Sequence, residues 1–171
     1  MRLEGSCHCG AVRFGLESSH PYPFNLCYCT ACRKTQGGGG YAINLAGRAD
    51  SLEVEGEDHV RVYRARVTDP DTGAPRPGPA RRHFCGECGS HLWLYDPRWP
   101  ELVHPVASAI DTPLPVPPER VHLMTDEKAA WVRVHAEPSD RLYGGHPEQS
   151  IAEWHASRGL ESHDTGDSTR A

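Results

Sequence analysis

The chain has 171 residues, a formal net charge of −5, 37% hydrophobic residues and 8% aromatic ones. That length holds one domain of ordinary size, and the acidic balance opposes non-specific nucleic-acid binding, which needs a basic surface. Mean hydropathy is −0.60, no apolar run approaches membrane-spanning length, and the opening MRLEGSCHCG lacks the apolar core of a secretory signal, so a cytoplasmic location is expected.

Seventeen glycines and fifteen prolines argue against a helical bundle and for short strands joined by turns. In chain order, residues 11–16 place Val12, Phe14 and Leu16 on one face, the period-2 pattern of a half-buried strand after a tight turn at Gly10. Residues 20–24 read as extended or turning, because proline restricts its predecessor. Thr30 to Thr35 predict a short helical turn, and the glycines at 37–40 an irregular backbone that another group can approach closely. Tyr41–Leu45, Leu52–Val54 and His59–Arg64 read as strands. Residues 68–80 (TDPDTGAPRPGPA) predict an exposed, mobile loop insertion with no apolar anchor. His91–Tyr95, with Leu92 and Leu94 alternating against His91, Trp93 and Tyr95, and Glu101–Ser108 read as strands. Thr112–Pro118 reads as polyproline-like, and Trp131–His135 as a further strand with Val132 and Val134 on one face. Residues 147–158 predict a helix with Pro147 in its first turn, Ile151, Trp154 and His155 on one face, and Gly159 as its stop. The expectation is a mainly-β single domain over residues 1–140, a short helical extension over 141–159 and a disordered tail over 160–171.

Seven cysteines fall in three clusters: Cys7 and Cys9; Cys27, Cys29 and Cys32; Cys85 and Cys88. A reducing cytosol disfavours disulfides. C-x-C and C-x-x-C pairs instead aim several thiolates at one ion, and zinc is the leading reading. Seven divides as four plus three. A structural zinc is closed by four protein ligands, whereas a catalytic zinc commonly keeps three and one open position. Two closed sites would need an eighth ligand, with His8, His83 and His91 as candidates. The first and third clusters could close one four-cysteine site, helped by the turn-permitting Gly10, Gly86 and Gly89. The middle cluster supplies three ligands in six residues. Arg33, Lys34 and the glycine run containing Gly38 and Gly39 follow at once, a basic pair to attract an anionic ligand beside accessible backbone. On spacing alone, an open three-cysteine site and one closed by a histidine or a borrowed sulfur are equally available. Two Zn²⁺ on seven thiolates would take the formal charge to about −8, further from nucleic acid.

Three segments carry a resemblance: GSCHCGAVRF (Gly5 to Phe14), CYCTACRKTQGG (Cys27 to Gly38) and RHFCGECGSHL (Arg82 to Leu92). With HLMTDEKAAW (His122 to Trp131), they are similar to the glutathione-dependent formaldehyde-activating enzyme family, which also includes centromere protein V. The likeness spans roughly residues 3–135, and all seven cysteine positions match. The resemblance implies a β-tent fold. It implies a structural zinc on Cys7, Cys9, Cys85 and Cys88, and a catalytic zinc on Cys27, Cys29 and Cys32. It also implies a small thiol partner such as glutathione, joined to formaldehyde as S-hydroxymethylglutathione, which is carbon–sulfur lyase chemistry run in reverse.

The remaining candidates have plainer readings beside the functional ones. His8 reads as a neighbour that tunes the sulfurs. His83 and His91 flank the third cluster, where one could serve as a base. Arg81 and Arg82 are either binders of a substrate carboxylate or a solvated turn. Trp93, Tyr95 and Trp99 read as core or rim packing. Trp154 reads as a packing anchor, or as a homodimer contact if exposed. Two other functions compete with the enzyme: a zinc-structured binding module without catalysis, and a thiol/zinc redox switch working through the middle cluster.

Overall fold

The computed structural model describes residues 1–36 and 38–160. In chain order its elements are β1 (Arg2–Ser6), β2 (Arg13–Glu17), β3 (Phe24–Cys27), α1 (Thr30–Gln36), β4 (Ala42–Asn44), β5 (Gly47–Arg48), β6 (Glu53–Glu55) and β7 (Val60–Tyr63). There follow β8 (Arg66–Thr68), β9 (Pro75–Pro77), β10 (Arg81–Cys85), β11 (His91–Tyr95), β12 (Leu102–Pro105), β13 (Arg120–Leu123), β14 (Arg141–Leu142) and α2 (Ile151–Ala156). The chain is mainly β with two short helices, the class that its glycine and proline content implied.

Three sheets form the body. β2 lies between β1 and β6, antiparallel to both. A five-stranded antiparallel sheet runs in the order β5-β12-β11-β10-β7. A four-stranded sheet runs β14-β13-β3-β4, with β13 parallel to both β14 and β3 and with β4 antiparallel to β3. The alternation at Val12, Phe14 and Leu16 puts all three into the main core with Leu3, Leu45, Leu92, Trp93, Val103 and Val106. Phe14 and Trp93 meet with ring centroids 5.2 Å apart. Each such burial is worth about 1.5–3 kcal/mol. Cys7 and Cys85 belong to the same core. A Cβ at Gly5 would overlap the Ala109 carbonyl and the Phe14 ring, so only glycine lets β1 approach the segment bridged at Ile110.

Several elements depart from expectation. Residues 68–80 are not an unstructured loop: β8 and β9 pair as an antiparallel hairpin, Val67 opposite Arg76. The Asp69 carboxylate builds the turn, accepting the N–H groups of Asp71 and Thr72 at 3.0 Å each and pairing with Arg76 at 2.7 Å. Pro75 and Pro77 are tolerated because this exposed ribbon does not need their missing donors. Trp131–His135 forms no strand. Both edges of β3 are already taken by β13 and β4, so Val132 is buried by packing on Leu26 and Tyr28 instead, while Trp131 stays 69% exposed. β11 does not alternate cleanly: His91, Leu92 and Trp93 are all buried, because the pairing with β10 shifts register between His83 and Phe84. α2 is shorter than the expected 147–158. Ser150 caps it, its hydroxyl accepting the Glu153 N–H while the Glu153 carboxylate accepts the Ser150 N–H, so Pro147 lies ahead of the first turn. Trp154 is buried, its Nε1–H donating to Glu119 at 2.9 Å. Of the expected tail, residues 161–171 lie outside the described residues, as does Gly37. Among the described residues, no helix is long and apolar enough to cross a membrane.

Candidate metal centres

Two knuckles of like construction face each other in the main core. After Cys7 and Cys9, the Gly10 N–H donates to the Cys7 carbonyl at 3.0 Å; after Cys85 and Cys88, the Gly89 N–H donates to the Cys85 carbonyl at 2.9 Å. Gly10 and Gly89 have φ of +76° and +75°, a left-handed backbone that side chains other than glycine's resist. The turns bring the four sulfurs within 4.8 Å of one another. Cys7 and Cys9 Sγ are 3.5 Å apart, and Cys9 and Cys85 Sγ 3.8 Å. A tetrahedron with Zn–S bonds of ~2.3 Å has edges of about 3.8 Å. None of the seven cysteines is in a disulfide, so four thiols at these separations fit a soft tetrahedral cation such as zinc. Cys7 and Cys85 are buried and Cys9 and Cys88 exposed, so the cluster is seated in the core and open at its rim. His8 is exposed, its backbone N–H donating to the Ser90 hydroxyl.

The second cluster lies at the junction of β3, α1 and β4. Cys27 ends β3, Cys29 immediately precedes α1 and Cys32 lies in its first turn. Their sulfurs are likewise within 4.8 Å of one another. The Cys32 N–H points at Cys29 Sγ at 3.4 Å, and the Arg33 N–H closes the turn on the Cys29 carbonyl. Hydrogen bonds from Cys27 and Cys32 push the Cys29 thiol down to about 2, while sharing with Cys29 pushes Cys27 far up. Three thiols gathered this closely are a donor set that fits a soft cation such as zinc. No fourth cysteine, histidine or carboxylate joins this group among the described residues.

Arg82 is not the solvated turn residue that its neighbourhood suggested. It lies on β10, 7% exposed, with its Nη2 4.0 Å from Cys32 Sγ. Arg81, by contrast, is exposed over the Tyr95 ring. His91 is buried, and burial first, then the nearby Arg82 charge, lower its pKa to about 4. His83 stacks on Trp93 with centroids 5.0 Å apart and joins neither thiol group. Trp99 is 43% exposed under Arg98. On α1, Arg33 is half-buried and Lys34 exposed; Gly38 and Gly39 are exposed, and open space surrounds Gly38.

A buried relay, unanticipated from the sequence, supports the knuckle from behind. Tyr28 stands between Cys27 and Cys29, and its hydroxyl is 2.9 Å from His122 Nδ1. His122 Nε2 is 3.3 Å from the Asp140 carboxylate, which also accepts the N–H groups of Arg120 at 2.8 Å and Glu137 at 2.9 Å. Burial would raise the Asp140 pKa, but these backbone donors outweigh it and hold the carboxyl below the usual range. An ionised Asp140 places the imidazole proton on Nε2, so Nδ1 accepts from Tyr28. Parallel pairing puts His122 beside Leu26 and Leu123 beside Cys27, and the Tyr28 N–H donates to the Leu123 carbonyl. The one sequence signal for this relay was the similarity at residues 122–131, which touches His122 alone.

The model of the family described as glutathione-dependent formaldehyde-activating enzyme matches residues 2–127. A curated protein of Halomonas elongata that carries this same description as a provisional name is 61% identical over 161 residues, covering 94% of this chain and 99% of that one. A solved structure of a Rhodobacter sphaeroides protein aligns with a TM-score of 0.48 at 24% identity, over 67% of this chain and 92% of that one.

Proposed function

The chain belongs to the glutathione-dependent formaldehyde-activating enzyme family, and on that premise we propose that it is a carbon–sulfur lyase-type enzyme that adds a small thiol to formaldehyde and reverses that addition. Glutathione is the thiol that the family's description names. In this reading Cys7, Cys9, Cys85 and Cys88 hold a structural zinc, and Cys27, Cys29 and Cys32 hold a second zinc with one position left for substrate. When bound there, such an ion lowers the pKa of a thiol and polarises a carbonyl oxygen.

The protein's own residues supply the rest. The Tyr28–His122–Asp140 relay fixes the backbone between two of the three thiols. Arg33 and Lys34, with the open edge at Gly38 and Gly39, meet the charged ends of the thiol substrate. The single observation that carries the reading is the inequality of the two clusters: one has four thiols, the other has three beside a buried arginine. A cytoplasmic location, where glutathione-type thiols are abundant, belongs to the same proposal.

The test is a rate measurement above the uncatalysed background, with metal content per chain determined in parallel. The protein is expected to hold two zinc ions and to accelerate S-hydroxymethyl adduct formation. Cys29→Ser is expected to keep the fold and lose the acceleration. An unaltered rate in Cys29→Ser would sink the proposal.

A further inference from the structure

A buried guanidinium requires a compensating anion. Among the described residues no carboxylate lies within ion-pair distance of Arg82. Its side chain touches Cys32 Sγ, and its Nε is buried without a partner. The charge therefore faces the three-thiol cluster, and most of its five N–H groups are unspent.

The neighbourhood repeats the pattern. Six buried side-chain polar atoms lack partners among the described residues, and all six sit on α1, β10 or β11. Both ring nitrogens of His91 are among them, as are Arg33 Nε and Gln36 Oε1. Cys32 and Gln36 are four residues apart and share a helix face. Buried polar groups are rarely left unpaired unless something else pairs them. Of these groups, Arg82 reaches Cys32 Sγ, Arg33 and Gln36 stand on the helix that carries Cys32, and His91 lies close enough to Arg82 to feel its charge.

We propose that Arg82 is a catalytic residue: it donates N–H to the carbonyl oxygen of the aldehyde at the three-thiol centre and stabilises that oxygen as it becomes an alkoxide. This rests on the function proposed above. In the step the substrate sulfur forms a bond to the aldehyde carbon, the C=O π pair moves onto oxygen, and the thiol's proton ends on that oxygen, giving R–S–CH₂–OH. No oxidant or reductant is needed. In the reverse direction Arg82 holds the same oxygen while the C–S bond breaks. Its contact with Cys32 has a second effect: it drains charge from that sulfur, and so helps the cluster retain a cation.

The experiment compares the wild-type protein with Arg82→Gln and Arg82→Lys, using formaldehyde with two thiols, glutathione and the uncharged 2-mercaptoethanol. Circular dichroism and two zinc ions per chain establish that each variant is folded, and Arg82→Lys keeps a positive charge should Arg82→Gln fail this check. Removing one donor to a developing oxyanion costs on the order of 10²–10³ in kcat, so Arg82→Gln is expected to lose about 100-fold with both thiols while KM for the thiol stays close to wild type. A loss confined to glutathione and to KM would make Arg82 a carboxylate binder and overturn the proposal. Unchanged rates in both variants would also overturn it.

A readout independent of turnover is metal release to a chelator. One of the two zinc ions is expected to leave Arg82→Gln about 10-fold faster than wild type, the other at an unchanged rate; equal release of both would refute the contact with Cys32. Should the wild-type protein accelerate neither thiol, the proposed function itself falls, an outcome distinct from an active wild type matched by Arg82→Gln.

Discussion

Asp140 offers the sharpest quantitative test of how the knuckle is held. Its side chain is 1% exposed and accepts from the Arg120 N–H at 2.8 Å, the Glu137 N–H at 2.9 Å and His122 Nε2 at 3.3 Å. Asp140→Ala strands all three donors. Glu137 is exposed and water can replace its partner, whereas Arg120 is half-buried and His122 is 1% exposed. A buried donor left unpaired costs about 1–3 kcal/mol, so two of them predict a loss of about 3–4 kcal/mol, a large part of an ordinary domain's stability. Asp140→Asn keeps the bond to Arg120 and should cost about half as much. The assay is urea unfolding followed by tryptophan fluorescence at fixed free zinc concentration, since bound metal shifts the midpoint. Amide exchange at Tyr28, whose N–H donates to Leu123, should quicken in the same variant. A loss below about 1 kcal/mol in Asp140→Ala, or no change in exchange at Tyr28, would refute the view that the relay anchors the knuckle.

Three other predictions are as direct. His91 titrates near 4 in the folded chain against about 6.5 when unfolded, so the unfolded chain binds more protons between these values. Stability is then fully present above about pH 6.5 and declines by about 2–4 kcal/mol toward pH 4; His91→Gln should flatten that slope in urea titrations at pH 6.5 and 5. Gly10→Ala or Gly89→Ala forces a side chain into a left-handed backbone at a cost of about 1–2 kcal/mol, and competition with a chelator should show weaker retention of one zinc of two. Trp154→Phe removes the donor to the buried Glu119 carboxylate and should cost about 1–2 kcal/mol by thermal unfolding, with no effect on metal content.

Local patterns were legible in the sequence, and distant ones were not. β2, with Phe14 and Leu16 on its core face and Val12 buried just ahead of it, announced itself because period 2 is a property of neighbouring residues. The helical turn after Cys29 and the grouping of thiols into knuckles were visible for the same reason. That the first and third clusters meet each other was given by the family resemblance, since spacing within a knuckle says nothing of its partner. The parallel pairing of β13 with β3, and with it the Tyr28–His122–Asp140 relay, depends on a crossover of some ninety residues that leaves no local trace. Arg82 misled for an electrostatic reason: next to Arg81, with no acidic residue near it in sequence, it reads as solvated. Its partner is a sulfur fifty residues away. The false strand at 131–135 had the right alternation, but Val132 is buried by packing on Leu26 and Tyr28, whose strand already has both its edges paired.

The two thiol clusters also differ in how far the chain must travel to assemble them. Cys27, Cys29 and Cys32 lie within six residues, so a chain still emerging from synthesis already presents them together. Cys9 and Cys85 are 76 residues apart, and their meeting requires closure of a loop whose entropy cost grows with its length. On the proposed two-zinc reading, a cation would find the short cluster early, and the long one only once β1, β2 and β10 have docked. If both clusters hold zinc as proposed, scarce metal would leave a population loaded at the local cluster and open at the core, and the order of loading would report whether the chain has finished folding.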